Sequence, residues 1–202
     1  MPLSVTIKSE LRKNLYQYEG KIDHLYLDTK GKVTIGVGHL IPNRVAIANI
    51  PLYKTQNKIA TQAATLQEKQ LEYDKIAKLP WGPRYSAASY KAHTSLVIKD
   101  TDINLLLDKH IDSFYKDLCH IFTKAHGYTD NFDNLHKNVQ LALFDMIFNL
   151  GATRLVKSFP KFIAALKTGD WKKAATESHR VDVSPTRNNY VKQLFQTVPT
   201  KP

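Results

Sequence analysis

A single cysteine, Cys119, stands in 202 residues, so the chain forms no internal disulfide and its fold does not depend on an oxidising compartment. Acidic side chains are the minority, 18 Asp and Glu against 29 Lys and Arg, for a formal charge of +11 at pH 7. That excess favours polyanionic partners such as nucleic acid, anionic lipid or acidic wall polymers, and does not choose among them. The basic residues are scattered; an arginine-rich arm, a Walker loop, zinc-finger spacing and an RNA-binding signature are all missing, which argues against a nucleic-acid role. No His, Cys, Asp and Glu cluster has metal-ligand spacing. Residues 1–6 carry no basic segment leading into an apolar one, so no signal peptide is expected. No apolar run approaches the roughly 20 residues of a membrane span, and no membrane insertion is expected. Low-complexity tracts and internal repeats are missing too.

The remaining composition, 43% hydrophobic and 23% charged, is that of an ordinary globular chain with one substantial core. Ile7, Leu11, Leu15 and Tyr18 recur at helical spacing, predicting a first helix over about 6–18 that Gly20 stops, with Glu19 at its end. A strand around 24–27, a turn at Asp28-Thr29-Lys30-Gly31 and a return strand over 33–37 follow as a hairpin. The stretch 42–58 reads as irregular, and 59–78 as a helix ended by Pro80-Trp81-Gly82-Pro83. Asp100 or Thr101 caps a long helix to about 124, whose apolar periodicity places Cys119 in core packing. Residues 135–150 are apolar on nearly every side, the pattern of a helix buried all round, and Gly151 stops it. Ser158 with Pro160, Asp170, and Ser184-Pro185 open three shorter helices.

The chemistry is concentrated early. Glu19 and Asp28 are two carboxylates on different supports, one closing an apolar helix and one opening a polar turn. Glycoside hydrolysis needs such a pair: a partly buried acid that protonates the leaving oxygen, and a solvated carboxylate that holds a water. Thr34, across the hairpin from Asp28, offers a hydroxyl to the same water. By themselves these residues also fit a bland reading, with Glu19 a solvated helix-end acid, Asp28 a turn former and Thr34 a strand residue. Trp81 and Trp171 read as core, although the Pro-Gly setting of Trp81 also suits stacking on a sugar.

The run is denser than an arbitrary spacing. Glu19 is followed after eight residues by Asp28, after five more by Thr34, and then by Ile35-Gly36-Val37-Gly38-His39-Leu40. Downstream lie Ala142-Leu143-Phe144-Asp145-Met146-Ile147-Phe148-Asn149-Leu150-Gly151, then Gly169-Asp170-Trp171, Ala174-Ala175, Arg180 and Ser184-Pro185-Thr186-Arg187. In this order, over about 1–42 and 96–196, the chain resembles the phage-type (T4-like) lysozymes, glycoside hydrolase family 24. Residues 43–95 have no good match in a minimal member, and Val181 stands where an aromatic is expected.

That resemblance implies an α+β, mainly α, two-lobed lysozyme-like fold. It implies one domain over 1–202, with the catalytic helix and hairpin at about 1–42, an insertion at 43–95, and a helical lobe at 96–202, the cleft lying between the lobes. The implied activity is a muramidase cutting the β-1,4 bond between N-acetylmuramic acid and N-acetylglucosamine in bacterial peptidoglycan, with inversion and without a cofactor. Glu19 is then the general acid, Asp28 the carboxylate orienting water, and Thr34 its partner. Leu40 and Phe148 line the saccharide groove, and Arg187 is a cleft arginine. His39 reads as structural. Two rivals stand beside this: a chitin-like polysaccharide hydrolase, and a non-catalytic peptidoglycan-binding module. The setting is a phage endolysin or a secreted antibacterial effector, made in the cytoplasm and acting on the wall after delivery. The chain is expected to be a monomer, joined by delivery machinery or an immunity protein if it is an effector.

Overall fold

The computed structural model describes residues 3–56 and 59–199. Helix α1 spans Val5–Glu19 and buries Ile7, Leu11 and Leu15, the face marked by their spacing. It ends at Gly20, whose φ of +75° is the left-handed conformation that a side chain resists; its N–H bonds back to the Tyr16 carbonyl at 3.2 Å.

A three-stranded antiparallel sheet follows, β1 (Ile22–Leu27), β2 (Val33–Gly36) and β3 (His39–Leu40), in that spatial order. All of β2 is buried, and β3 was not foreseen. The next segment corrects the sequence reading. Tyr53–Gln56 (β4) and Ile59–Ala63 (β5) form a hairpin, and Leu96–Val97 (β6) adds to β4 to make a second small sheet. Helix α2 therefore begins only at Leu66 and runs to Ile76. Its start is fixed by a capping box: the Thr65 hydroxyl accepts from the Glu68 amide, and the Glu68 carboxylate accepts from the Thr65 amide at 2.8 Å. A 3-10 segment, Ala87–His93, precedes β6.

Helices α3 (Asp100–Ile121), α4 (Lys137–Ser158), α5 (Pro160–Thr168), α6 (Trp171–Glu177) and α7 (Pro185–Gln196) complete the chain, which is mainly helical with two small antiparallel sheets. The whole of 139–147 in α4 is buried. By length and composition α4 could cross a membrane, contrary to expectation; here Gly151 (φ +73°, ψ 161°) interrupts it and most of its apolar side chains are core. Cys119 is half-buried rather than core, with its Sγ 3.8 Å from Asp133 Oδ1.

Two compact units emerge. One comprises Leu15–Lys109 and holds both sheets and α2; the other joins the chain up to Asn14 with the helical stretch from His110 onward. The unit boundaries fall inside α1 and α3, not at residues 42 and 95.

Candidate active site

Hairpin register decides which side chains share a face. Tyr26 lies directly opposite Thr34, and Thr34 directly opposite Leu40. Direct partners in an antiparallel ladder project to the same side, so Tyr26, Thr34 and Leu40 form one row across the sheet. Asp28, two residues beyond Tyr26, continues that alternation into the turn.

The turn is built around Asp28. Its Oδ1 accepts the amide N–H groups of Lys30 and Lys32, both at 2.8 Å, and its carbonyl accepts the Gly31 N–H at 3.0 Å. Both side-chain bonds fall on Oδ1, so the carboxylate is oriented with Oδ2 clear of them. Gly31 closes the turn at φ +70°, and a Cβ there would come within 2.6 Å of Trp81 Cε2. Thr34 is only 3% exposed, and its hydroxyl donates to the Lys32 carbonyl at 3.0 Å. With its proton committed, Thr34 Oγ1 keeps acceptor capacity only.

Glu19 approaches this row from the end of α1. It is half-buried, and a Cβ built on Gly38 would lie 3.8 Å from its Oε2. Tyr26 ties the two acids together. Its phenol is pushed up to about 12, first by burial and then by the negative charges of Glu19 and Asp28, against a Gly38 backbone hydrogen bond that pulls it down. Both negative charges thus act on the one hydroxyl. Tyr26 was not singled out from the sequence, although its period-two relation to Asp28 marks it.

Of the expected saccharide contacts, Leu40 is exposed at the end of the Tyr26–Thr34 row. Phe148 belongs to the helical unit, where it is half-buried and packs edge-to-face on Phe114, with centroids 5.7 Å apart. Arg187 departs from expectation. It is 6% exposed, and its Nε donates to Asp145 Oδ2 at 2.9 Å. Arg180 holds the other oxygen of Asp145 at 2.7 Å, giving a buried carboxylate between two guanidinium groups inside the helical unit. In this arrangement Arg187 is a buried, ion-paired arginine rather than a surface one. Sequence could not reveal this, because Asp145 lies 42 positions away, within the apolar run 141–148.

An open pocket of about 450 Å³ lies elsewhere on the sheet-bearing unit, lined by Lys54, Glu68, Glu72, Lys75 and Ser95 among others. It contains none of the expected site residues. Glu72 there is structural, since its carboxylate accepts from the Ser95 amide and hydroxyl and the Leu96 amide. Among the described residues, no group of three or more His, Cys, Asp or Glu side chains is placed to hold a metal ion.

The comparisons place the chain in the lysozyme superfamily, in agreement with the fold. It belongs to the family described as "Pesticin: Bacterial toxin homologue of phage lysozyme, C-term", which matches residues 60–172, more than half of its length. That match starts beyond the hairpin and so leaves Glu19, Asp28 and Thr34 outside it. Relatives in Dictyostelium discoideum extend further. The chain is 26% identical to "Probable T4-type lysozyme 2" over 94% of this chain and 95% of that protein. It is 24% identical to "Probable T4-type lysozyme 1" over 92% and 93%. Alignments of that length run through most of 43–95, so this stretch is common ground with those relatives.

Proposed function

We propose that the chain is a muramidase, hydrolysing the β-1,4 bond between N-acetylmuramic acid and N-acetylglucosamine in peptidoglycan. The observation that carries this reading is the hairpin geometry: the Asp28 turn and Thr34 belong to one sheet, and the Glu19 carboxylate lies against Gly38 beside that sheet's second strand. Lysozyme homology supports the general chemistry, and the residue pattern from Glu19 to Leu40 supports the specific one.

In the proposed reaction Glu19, as the neutral acid, protonates the glycosidic oxygen as its bond to the anomeric carbon breaks. A water donates one hydrogen to Asp28 and the other to Thr34 Oγ1, whose own proton is held by the Lys32 carbonyl. The water oxygen then attacks the anomeric carbon from the opposite face while one of its protons passes to Asp28, and inversion follows. Leu40 and Phe148 are proposed saccharide contacts. Arg187 acts by holding the helix that bears Asp145. Action on the wall after delivery, as a monomer, is part of the same proposal. The family description, a bacterial toxin homologue, favours an effector over an endolysin.

Purified peptidoglycan and chitin, each incubated with the wild-type chain and with Glu19→Gln, test the reading. Reducing ends from peptidoglycan, lost in Glu19→Gln, are expected. Release from chitin alone would replace the substrate, and wall binding without reducing ends would make the chain a non-catalytic binding module.

A further inference from the structure

Trp81 breaks the pattern of the other aromatic residues. Of the described Phe, Trp and Tyr side chains, only Trp81 and Tyr85 are exposed. Trp81 is 54% exposed, against the core position its apolar character suggested. Exposing so large an apolar surface forfeits burial free energy, and an indole kept in water calls for an explanation.

Its place supplies one. A Cβ added to Gly31 would lie 2.6 Å from Trp81 Cε2, 2.7 Å from Nε1 and 2.8 Å from Cδ2. Cε2 is a ring-fusion carbon with no free edge, and its two nearest companions are the ring atoms bonded to it. The glycine therefore meets the indole over its face. One face rests on the turn that carries Asp28, and the exposed surface belongs to the rest of the ring. Gly31 is the residue that permits this approach, because any side chain there would occupy the indole's seat.

The indole is also held in place. The buried Tyr90 hydroxyl donates to the Pro80 carbonyl at 2.9 Å, and the Tyr85 amide donates to the Gly82 carbonyl at 3.0 Å, so the loop is tied on both sides of Trp81. A pyranose presents an apolar face of axial C–H groups, which pairs with an aromatic face where a flexible aliphatic chain would not. Lys30 and Lys32, on the same turn, are exposed and suit the carboxylate of an N-acetylmuramyl residue better than a neutral sugar.

We propose that Trp81 is the platform of a further saccharide subsite, reached along the glycan from Asp28, which stacks one ring of an N-acetylhexosamine polymer and favours muramyl-containing chains. The subsite rests on the glycan-hydrolase reading for its substrate, but not for its test. In the Glu19→Gln chain, a tetrasaccharide of alternating N-acetylglucosamine and N-acetylmuramic acid shifts and quenches tryptophan emission saturably. The same titration of Glu19→Gln with Trp81→Phe, which keeps only Trp171, leaves the emission unchanged. By calorimetry Trp81→Ala weakens binding about tenfold, while Trp81→Tyr and Trp81→Phe stay within about threefold of the parent. With Glu19 intact, Trp81→Ala raises KM about tenfold with kcat within about twofold. The aromatic variants keep the test decisive if the alanine variant does not fold. A silent Trp81 at saturation, or equal loss in the tyrosine, phenylalanine and alanine variants, overturns the subsite. Cleavage by wild type with a silent Trp81 overturns the subsite alone. A Trp81 shift with no cleavage by wild type overturns the hydrolase reading alone, and neither signal overturns both.

Discussion

Asp28 has two duties that substitution can separate. Its Oδ1 holds the turn through the Lys30 and Lys32 amides, and its charge is the proposed partner of water. Asparagine keeps an Oδ1 acceptor and loses the charge. Asp28→Asn is therefore expected to keep its unfolding midpoint and to lose wall lysis by about a hundredfold or more. Asp28→Ala additionally removes the acceptor of two exposed amides, which water partly replaces, and costs about 0.5–1.5 kcal/mol in stability. Equal lysis by wild type and Asp28→Asn in a turbidity assay would remove Asp28 from the chemistry. In the helical unit, Asp145 pairs with both Arg180 and Arg187, which are nearly fully buried. Asp145→Ala leaves two buried guanidinium groups facing each other without it, at a cost of about 3–5 kcal/mol by urea denaturation. A loss below about 1 kcal/mol would mean that water or other groups already solvate the arginines.

Elements were legible where a local stop signal coincided with a periodic face. Gly20, Gly169 and Ser184-Pro185 bound their helices as expected, with Gly169 left-handed at φ +68° and the Ser184 hydroxyl accepting the Arg187 amide. The β4–β5 hairpin was missed because both strands lie mostly on the surface, so they carry no apolar alternation to reveal them. The Thr65-x-x-Glu68 box was available and would have moved the start of α2 to its true place.

Strand β1 is fastened to the 87–93 segment by a polar cluster that the sequence did not suggest. Lys91 donates to both oxygens of Asp23 at 2.7 Å, and the buried His24 ring spans Asp23 Oδ1 and the Ala87 carbonyl. Burial alone would raise the Asp23 pKa, but the hydrogen bonds from Lys91 and His24 prevail and lower it. A carboxyl lowered on folding contributes stability that is present above its unfolded pKa of about 4 and disappears as pH falls through the lower folded value. Wild type should thus lose more stability than Asp23→Asn between about pH 5 and pH 2, read as urea midpoints. Parallel losses in the two proteins would show that the cluster adds nothing. Asp23 is half-exposed, so the difference is expected to be small.

The molecule as a whole carries its +11 charge on scattered lysines and arginines, with the exposed Lys30 and Lys32 on the Asp28 turn itself. Long-range attraction to an anionic wall is screened as the Debye length shrinks from about 10 Å at 0.1 M salt to about 3 Å at 1 M. Wall binding in a pelleting assay should fall roughly tenfold across that range. Salt-independent binding would shift the weight to stacking and hydrogen bonding. The mainly helical fold and the hairpin that carries Asp28 and Thr34 were readable from spacing, since stop signals, turn and register are all local. The Arg180–Asp145–Arg187 cluster and the seat of Trp81 on Gly31 were not, because each joins residues about 35 to 50 positions apart that only tertiary packing brings together.

The most direct test is mass analysis of soluble fragments from purified peptidoglycan treated with the wild-type chain and with a folded Glu19→Gln chain. Wild type should yield disaccharide muropeptides with N-acetylmuramic acid at the reducing end, and Glu19→Gln should yield none. The same muropeptides from Glu19→Gln, or none from wild type, would contradict the account.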